Sequence, residues 1–263
     1  DEKQILSSTG ALSLREVPKK MVVVGGGYIG LEMGSVWSRL GTQVEVIEFL
    51  DRITPGMDNE ISKEFEKILK KQGIKFQFNT KVVKVTKNKN FVSIHTIDNT
   101  KKKNTIDADV VLISVGRKPH TKGLNLKNIG VQTDEKERVK VNKKFETNIK
   151  NIYAIGDVID GPMLAHKAEE EGIAVAELIA GQSGHVNYDI IPGVIYTFPE
   201  VAYVGKTEEQ LKANKINYKI GKFPFMANSR AKAIDEPEGF VKILADATTD
   251  KVLGVHIIGL HAG

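Results

Sequence analysis

Residues 21–32 read MVVVGGGYIGLE, and this stretch decides the fold. The apolar, β-branched run before the glycines is typical of a strand buried on both faces of a parallel sheet. Gly25, Gly27 and Gly30 follow in G-x-G-x-x-G spacing, and the apolar stripe over residues 31–40 predicts a helix. A strand, a glycine turn and a helix in this order predict the first part of a Rossmann-like sheet.

Each glycine has a separate purpose in such a turn. Gly25 allows the tight bend, Gly27 lets the backbone approach a pyrophosphate, and Gly30 lets the helix pack close to the strand. The N–H groups and the positive dipole at the start of the helix attract phosphates. A glycine-rich turn that holds no ligand is the alternative. The order of the surrounding elements favours a dinucleotide.

The second strand, QVEVIE at residues 43–48, ends in an acidic residue. Glu48 lies 18 residues after Gly30, where a carboxylate accepts hydrogen bonds from the adenosine ribose hydroxyls and repels a 2′-phosphate. This position favours NAD over NADP, and the nearby Arg52 weakens the preference slightly.

The composition excludes several classes of function. The 263 residues carry a net charge of +5 and no cysteine, which excludes thiolate metal sites and thiol chemistry by this chain itself. No apolar run is long enough for membrane insertion. The six histidines show no metal-ligand spacing. The basic patch TKKKN at residues 100–104 lies between two strand-like runs, so it predicts a solvated hairpin turn rather than a nucleic-acid contact.

The pattern continues along the chain as an amphipathic helix within residues 56–74 that Asp58 caps, an antiparallel meander, and a buried strand at residues 109–115. The segment NIYAIGD, residues 151–157, predicts a short buried strand that ends at Asp157, with a helix from Met163 onward. Asp157 is either a cap or an acid that binds a ligand hydroxyl, and spacing alone does not decide between them. The alternating strands and one short helix after residue 187 predict an α+β unit with an antiparallel sheet.

Six segments together resemble the dihydrolipoamide dehydrogenases, flavoproteins of the pyridine nucleotide–disulfide oxidoreductase family. The segments are VVVGGGYIGLEMGSVWSRLG, VEVIEFLDRI, LISVGRKP, NIYAIGDVIDGPMLAHKAEEEG, VIYTFPEVAYVGKTEEQL and FPFMANSRAKA. The resemblance implies an α/β fold with a Rossmann-like NAD domain, part of an FAD domain and a truncated α+β dimerisation domain. The implied boundaries are 1–14 for the end of an FAD-domain segment and linker, 15–143 for the NAD domain, 144–186 for the return segment of the FAD domain, and 187–263 for the partial interface domain.

The resemblance also implies a function for the complete enzyme. It would oxidise protein-bound dihydrolipoamide and reduce NAD⁺ through a redox disulfide and FAD, as a homodimer in the mitochondrial matrix. Its partners would be lipoyl domains of 2-oxo acid dehydrogenase complexes or of the glycine cleavage system. This chain is expected to be a central fragment without the cysteine pair and the catalytic His–Glu pair, so alone it should be inactive. A related disulfide reductase such as glutathione reductase and a non-catalytic NAD(H)-binding module are the alternatives.

The family's binding roles carry over to matching positions, with no catalytic and no metal-binding residue in this chain. The NAD turn would consist of Gly25, Gly26, Gly27, Tyr28, Ile29, Gly30, Leu31 and Glu32, with Glu32 toward the nicotinamide. Glu48 would hold the adenosine ribose, and Val82 and Gly116 would flank the cofactor. Asp157 would bind the FAD ribityl chain, and the backbone N–H groups of Met163, Leu164, Ala165 and His166 would face the flavin. Tyr28 would act either as a lid over the flavin or as a surface residue with its hydroxyl in water.

Overall fold

The computed structural model describes residues 1–263 as two compact units. One unit comprises residues 1–116 together with residues 192–263, and the other comprises residues 117–191. None of the helices has both the length and the apolar character that a membrane span requires.

The N-terminal part of the first unit contains a five-stranded parallel sheet and a three-stranded antiparallel sheet. Their strands are β1 (Ile5–Leu6), β2 (Lys20–Val24), β3 (Gln43–Ile47), β4 (Lys75–Gln77), β5 (Thr80–Lys87), β6 (Val92–Asp98), β7 (Lys103–Ala108) and β8 (Val110–Ile113). The helices are α1 (Ser8–Leu12), α2 (Tyr28–Arg39) and α3 (Asn59–Lys71). The parallel sheet has the order β1-β8-β2-β3-β4, and the antiparallel sheet is β5-β6-β7. The predicted Rossmann-like sheet with an antiparallel meander is confirmed.

The centre of the parallel sheet determines where a ligand site can form. Val22 and Val23 on β2 are fully buried, which explains the unbroken apolar run. On β2, Val24 pairs with Ile47 of β3 and Ile113 of β8. The carboxyl ends of the three strands therefore meet at one edge, and the residues that follow them are brought together there.

The helix after the glycine turn begins earlier than the sequence predicted. α2 starts at Tyr28 with Gly27 as its N-cap, so Gly30 lies in the first turn rather than before the helix. A Cβ at Gly30 would overlap the carbonyl oxygen of Gly25 and the hydroxyl of Ser114. Glycine is a poor helix former, so the apolar pattern did not reveal that the helix includes it.

The second unit is built around the helix α4 (Ala165–Ile179). Its core contains Val131, Val139, Phe145, Ile159 and Ala174.

The prediction of a strand at residues 151–157 is wrong. Within this segment the only β-bridge joins Tyr153 to Glu146. Residues 156–158 instead form a 3₁₀ turn. Two backbone hydrogen bonds hold Tyr153 beside Glu146, but the pairing stops there, and the N–H of Gly156 donates to the carboxylate of Glu171 instead.

The C-terminal part of the first unit is an antiparallel sheet with two short helices. In chain order its elements are β9 (Gly193–Ile195), β10 (Glu200–Gly205), α5 (Glu208–Ala213), β11 (Tyr218–Pro224), α6 (Ser229–Ala233), β12 (Phe240–Asp246) and β13 (Val252–Gly259). The sheet order is β11-β12-β13-β10-β9. This confirms the predicted α+β character. The sequence interpretation missed α6, whose signal is the cap Asn228, a side chain that accepts the N–H of Ala231.

A buried ion cluster joins α3, α5 and β12 within the first unit. The Nζ of Lys242 donates to Asp58 at 2.9 and 3.1 Å and to Glu208 at 2.7 Å. The side chains of Lys242 and Asp58 are 1% and 0% exposed. Burial alone would raise the pKa of Asp58, but the hydrogen bonds from Lys242 and from the N–H of Glu208 hold it below its usual value. The carboxylate therefore stays ionised and depends on Lys242.

Replacement of Lys242 by methionine should destabilise the fold. Methionine fills a similar volume but leaves the buried carboxylate of Asp58 without its cation, and removal of one partner of a buried pair costs about 3–5 kcal/mol. Urea denaturation measures the free energy of unfolding. Lys219→Met is the matched control, because Lys219 forms an exposed pair with Asp250 and its loss should cost less than about 1 kcal/mol.

The pH dependence of the free energy of unfolding, compared between the parent and Lys242→Met, separates the loss of the ion cluster from a packing defect. Hydrogen bonds from Lys212 and then Lys242 lower the pKa of Glu208 to about 2, from an ordinary value of 4.5. A carboxyl with a depressed pKa in the folded state stabilises the fold above pH 4.5, and this contribution is lost as the pH falls from 4.5 toward 2. The loss should be smaller in Lys242→Met, and an equal acid dependence would contradict this explanation.

Candidate functional site

A cavity of about 720 Å³ opens at the carboxyl edge of the parallel sheet, in the size range of small-molecule sites. Three of its walls follow β2, β3 and β8, as the sheet register requires. The lining residues are Val24, Gly25, Gly27, Tyr28, Ile29, Ile47, Glu48, Phe49, Leu50, Pro55, Thr80, Lys81, Val82, Ser114, Val115 and Gly116.

The three fingerprint glycines are required for different reasons. Gly25 has a φ of +107°, and a Cβ there would run into the carbonyl of Ser114. Gly30 lies against the turn and has no room for a Cβ. Gly27 has an ordinary φ of −84°, and apart from its two neighbours in the chain no protein atom lies within 4 Å of the place where its Cβ would be. The protein alone therefore explains glycine at two positions, whereas at Gly27 the open space is what the close approach of a ligand needs.

The amino terminus of α2 faces this cavity without a side-chain cap. Its N-cap is Gly27, which makes no side-chain hydrogen bond, and the first turn contains no acidic residue. The N–H groups that start a helix have no partner inside the helix, and the helix dipole makes this end positive. The turn can therefore accept an anion such as a pyrophosphate.

Glu48 is 8% exposed and is held by the backbone on both sides of the cavity. Its Oε2 accepts the N–H of Gly26 at 2.6 Å, and its Oε1 accepts the N–H of Leu50 at 2.8 Å. An ionised carboxylate offers about four lone-pair sites, so two bonds leave it able to accept a hydroxyl of a ligand. Arg52 donates to Asn59 and does not line the cavity. The only charged groups on the lining are therefore Glu48 and Lys81.

The other residues predicted for the NAD turn lie outside the cavity lining. Gly26 and Leu31 are buried behind the turn, and Gly30 packs against the strand. The Oε1 of Glu32 accepts the N–H of Tyr196 at 2.8 Å, and burial raises the pKa of Glu32.

Several lining residues were not identified from the sequence. Ser114 donates its hydroxyl to the carbonyl of Val24 at 2.9 Å and fixes the end of β8 against β2. Phe49 and Leu50 are 66% and 41% exposed, and both line the cavity directly after the end of the strand. Two adjacent apolar residues after the acidic strand end were the available signal.

In the second unit, the structure places the predicted flavin-contacting residues at the start of α4 and in the turn before it. Met163 lies in the turn, and Leu164 is the N-cap of α4, whose side chain makes no capping hydrogen bond. Ala165 and His166 are the first two residues of the helix. The carboxylate of Asp157 pairs with the guanidinium of Arg117 at 2.6 Å rather than capping α4.

A buried ion pair fixes the turn that carries Asp157. Lys167 and Glu171 are 1% and 0% exposed and lie 3.1 Å apart. Lys167 donates to the carbonyl of Gly156 at 3.0 Å, Glu171 accepts the N–H of the same residue at 2.6 Å, and Tyr188 donates to Glu171 at 2.6 Å. Both backbone groups of Gly156 are therefore held by one charged pair, which determines where Asp157 lies.

Comparisons with known proteins agree with this geometry. Residues 1–172 match the pyridine nucleotide-disulphide oxidoreductase family, and residues 191–263 match its dimerisation domain. The chain is 60% identical over 265 residues to dihydrolipoyl dehydrogenase 2, mitochondrial, from Arabidopsis thaliana, and 61% identical over 264 residues to leghemoglobin reductase from Vigna unguiculata. Both alignments cover 100% of this chain, but 52% and 50% of the relatives. The chain thus spans about half the length of the curated relatives it matches.

Solved structures with a similar fold agree with the family match. The HOCl-induced flavoprotein disulfide reductase RclA from Escherichia coli superimposes with a TM-score of 0.90 at 28% identity, over 98% of this chain and 59% of that chain. LpdA from Mycobacterium tuberculosis has a TM-score of 0.89 at 26% identity, over 98% of this chain and 56% of that chain. The resemblance drawn from the sequence is confirmed, and the chain belongs to the pyridine nucleotide-disulphide oxidoreductase family.

Proposed function

We propose that this chain is the NAD-binding part of a dihydrolipoyl dehydrogenase, together with a flavin-contacting segment and part of the interface domain. The complete protein would oxidise protein-bound dihydrolipoamide and reduce NAD⁺ through a redox disulfide and FAD. The observation that carries the proposal is the open space at Gly27, beside an uncapped helix terminus and a buried carboxylate. The identity of 60% to the Arabidopsis protein supports the choice of enzyme within the family.

The NAD roles follow from the cavity. The N–H groups at the start of α2 would bind the pyrophosphate, and Gly27 would give it room. Glu48 would accept the adenosine ribose hydroxyls, while Val82 and Gly116 would flank the cofactor, since both line the cavity. Glu32 would contact the nicotinamide end after releasing or sharing its bond to the N–H of Tyr196.

The FAD roles belong to the second unit. The start of α4 has no side-chain cap and no acidic residue in its first turn, which suits a flavin that becomes negative on reduction. FAD would supply the electron transfer between dithiol and nicotinamide. The backbone of Met163, Leu164, Ala165 and His166 would orient it, and Asp157 would bind its ribityl chain. His166 would act through its backbone and not as a catalytic residue.

The division into segments 1–14, 15–143, 144–186 and 187–263 is part of the proposal. The match of residues 191–263 to a dimerisation domain supports a homodimer. Lipoyl domains are the proposed partners of the complete protein. Relatives named as mitochondrial support a mitochondrial matrix location.

A related NADP-dependent disulfide reductase such as glutathione reductase is less well supported. A buried carboxylate borders the cavity, and the nearby guanidinium of Arg52 is engaged by Asn59. A 2′-phosphate would therefore meet a negative group and lack a free arginine beside it. A non-catalytic NAD(H)-binding module would have the same cavity. Such a module would not need a dimerisation domain, whereas residues 191–263 match one.

The first prediction of this proposal concerns the choice of dinucleotide. NADH should bind about 30-fold more tightly than NADPH, because about 2 kcal/mol of repulsion arises when a 2′-phosphate is placed beside Glu48. Fluorescence titration of the chain measures both affinities. Glu48→Gln should reduce the ratio, whereas Asp51→Asn, at an exposed neighbouring acid, should leave it unchanged. Equal affinities of the parent chain would contradict the role of Glu48.

The second prediction separates ligand binding from folding at the glycine turn. Gly27→Ala adds a methyl group that meets no distant part of the chain, and alanine is a poorer N-cap than glycine, so the free energy of unfolding should fall by about 1 kcal/mol at most while NADH binding is lost. Gly30→Ala forces a methyl group against the backbone of Gly25 and should destabilise the fold by about 1–3 kcal/mol. Urea denaturation and NADH titration test both variants. Retained NADH affinity in Gly27→Ala would argue against a dinucleotide at this turn.

The third prediction concerns flavin retention in the complete protein. Asp157→Ala would leave a ribityl hydroxyl without its acceptor, at about 1–3 kcal/mol, so the flavin should be lost more readily on dialysis. The ratio of flavin to protein absorbance measures retention. Asp160→Ala is the control, since Asp160 is an exposed acid that pairs with Arg138. Unchanged retention in Asp157→Ala would favour a purely structural ion pair with Arg117.

A further inference from the structure

The hydroxyl of a cavity residue is anchored to a distant strand of the same unit. Tyr28, the first residue of α2, lines the cavity and packs against the core. Its hydroxyl lies 2.8 Å from that of Tyr203 on β10, 175 residues along the chain. Burial and this bond raise the pKa of Tyr28, so the phenol stays protonated and the pair stays intact at neutral pH. The expectation that the Tyr28 hydroxyl lies in water is therefore wrong.

The partner ring is itself held by two neighbouring strands. A Cβ at Gly193 of β9 would overlap the ring of Tyr203, so that ring lies directly on the backbone of β9. The ring of His256 on β13 stacks on it with 6.4 Å between centroids and 11° between planes. His256 is fully buried, and its Nε2 bonds to the carbonyl of Lys206 at 3.0 Å. Three segments of the antiparallel sheet thus determine the position of one hydroxyl.

The position of Tyr28 matters because its ring forms part of the cavity wall. A tyrosine side chain moves between staggered rotamers unless something holds it. Tyr28 lies directly after Gly27, and apart from the residues next to Gly27 in the chain nothing lies within 4 Å of the place where a Cβ of Gly27 would be. Loss of the bond to Tyr203 would remove the hydrogen bond that fixes the hydroxyl end of the ring, and a shifted ring would narrow the cavity beside the glycine turn.

We propose that Tyr203 is a positioning residue for the nicotinamide dinucleotide. It holds the Tyr28 hydroxyl so that the ring remains part of the cavity wall and leaves the glycine turn open. The inference rests on the proposed NAD-binding function and adds a residue of the antiparallel sheet to it. Tyr203 acts through Tyr28 and needs no contact with the ligand.

A double-mutant cycle on the full 263-residue chain tests the inference. NADH affinity is measured by fluorescence titration for the parent, Tyr28→Phe, Tyr203→Phe and the double variant, with thermal unfolding as a check of folding. Each single variant should weaken NADH binding about three- to tenfold, the range that one lost hydrogen bond gives. The double variant should bind no more weakly than either single variant. Tyr218→Phe is the matched control, since it also removes a tyrosine hydroxyl bond, to Glu208 at 2.9 Å, and should leave affinity unchanged.

The outcomes distinguish two failures. If the parent binds NADH and Tyr203→Phe binds equally well, or if the two single effects multiply in the double variant, the positioning role is overturned and the proposed NAD function stands. If the parent does not bind NADH, the proposed function fails and the inference fails with it. If Tyr203→Phe does not fold, Tyr28→Phe alone decides, because unchanged affinity in that variant overturns the role of the hydroxyl pair.

Discussion

The buried carboxylate of Glu48 accepts the N–H of Gly26 through one oxygen and the N–H of Leu50 through the other. The rest of the site depends on these two hydrogen bonds. They join the glycine turn after β2 to the loop after β3. A buried charge is stable only when it is hydrogen-bonded. If either loop moved away, the Glu48 carboxylate would lose one of its two hydrogen-bond donors or become exposed to water. The group that would select the adenosine ribose is thus also the group that fixes the turn for the pyrophosphate. In the proposed function, binding specificity and local rigidity would therefore come from one side chain.

Much of this site could be predicted from the sequence because its determinants are local. The buried strand, the three glycines and the acid at the end of the next strand lie within residues 21–48 and follow from sheet and helix geometry. The segment at residues 151–157 failed for the opposite reason. Its apolar character predicted a strand, but the extent of a strand depends on a neighbour that can pair with it. Here the pairing is limited to one bridge between Tyr153 and Glu146, and the side chain of Glu171 takes the N–H of Gly156.

The polar partners could not be predicted, since they join residues that are far apart in sequence. Lys242 and Asp58 are separated by 184 residues, and Tyr28 and Tyr203 by 175. Hydrophobic periodicity shows which face of an element is buried, but a lone lysine on a buried strand face looks like an irregularity in the pattern. Only its ion pairs with Asp58, Glu60 and Glu208 explain why β12 tolerates this lysine. Asp58 itself was predicted as a cap, and its second role required the fold.

The antiparallel sheet reaches the cavity at the carboxyl edge of the parallel sheet by two separate routes. One runs from Tyr203 to Tyr28. The other runs from Lys242 to Asp58 at the start of α3, where Ser62 shares a hydrogen bond of 2.9 Å with Thr54, whose N–H donates to the carbonyl of Gly26 in the glycine turn. A residue range that matches a dimerisation domain therefore also supports the turn of the nucleotide fold beside it.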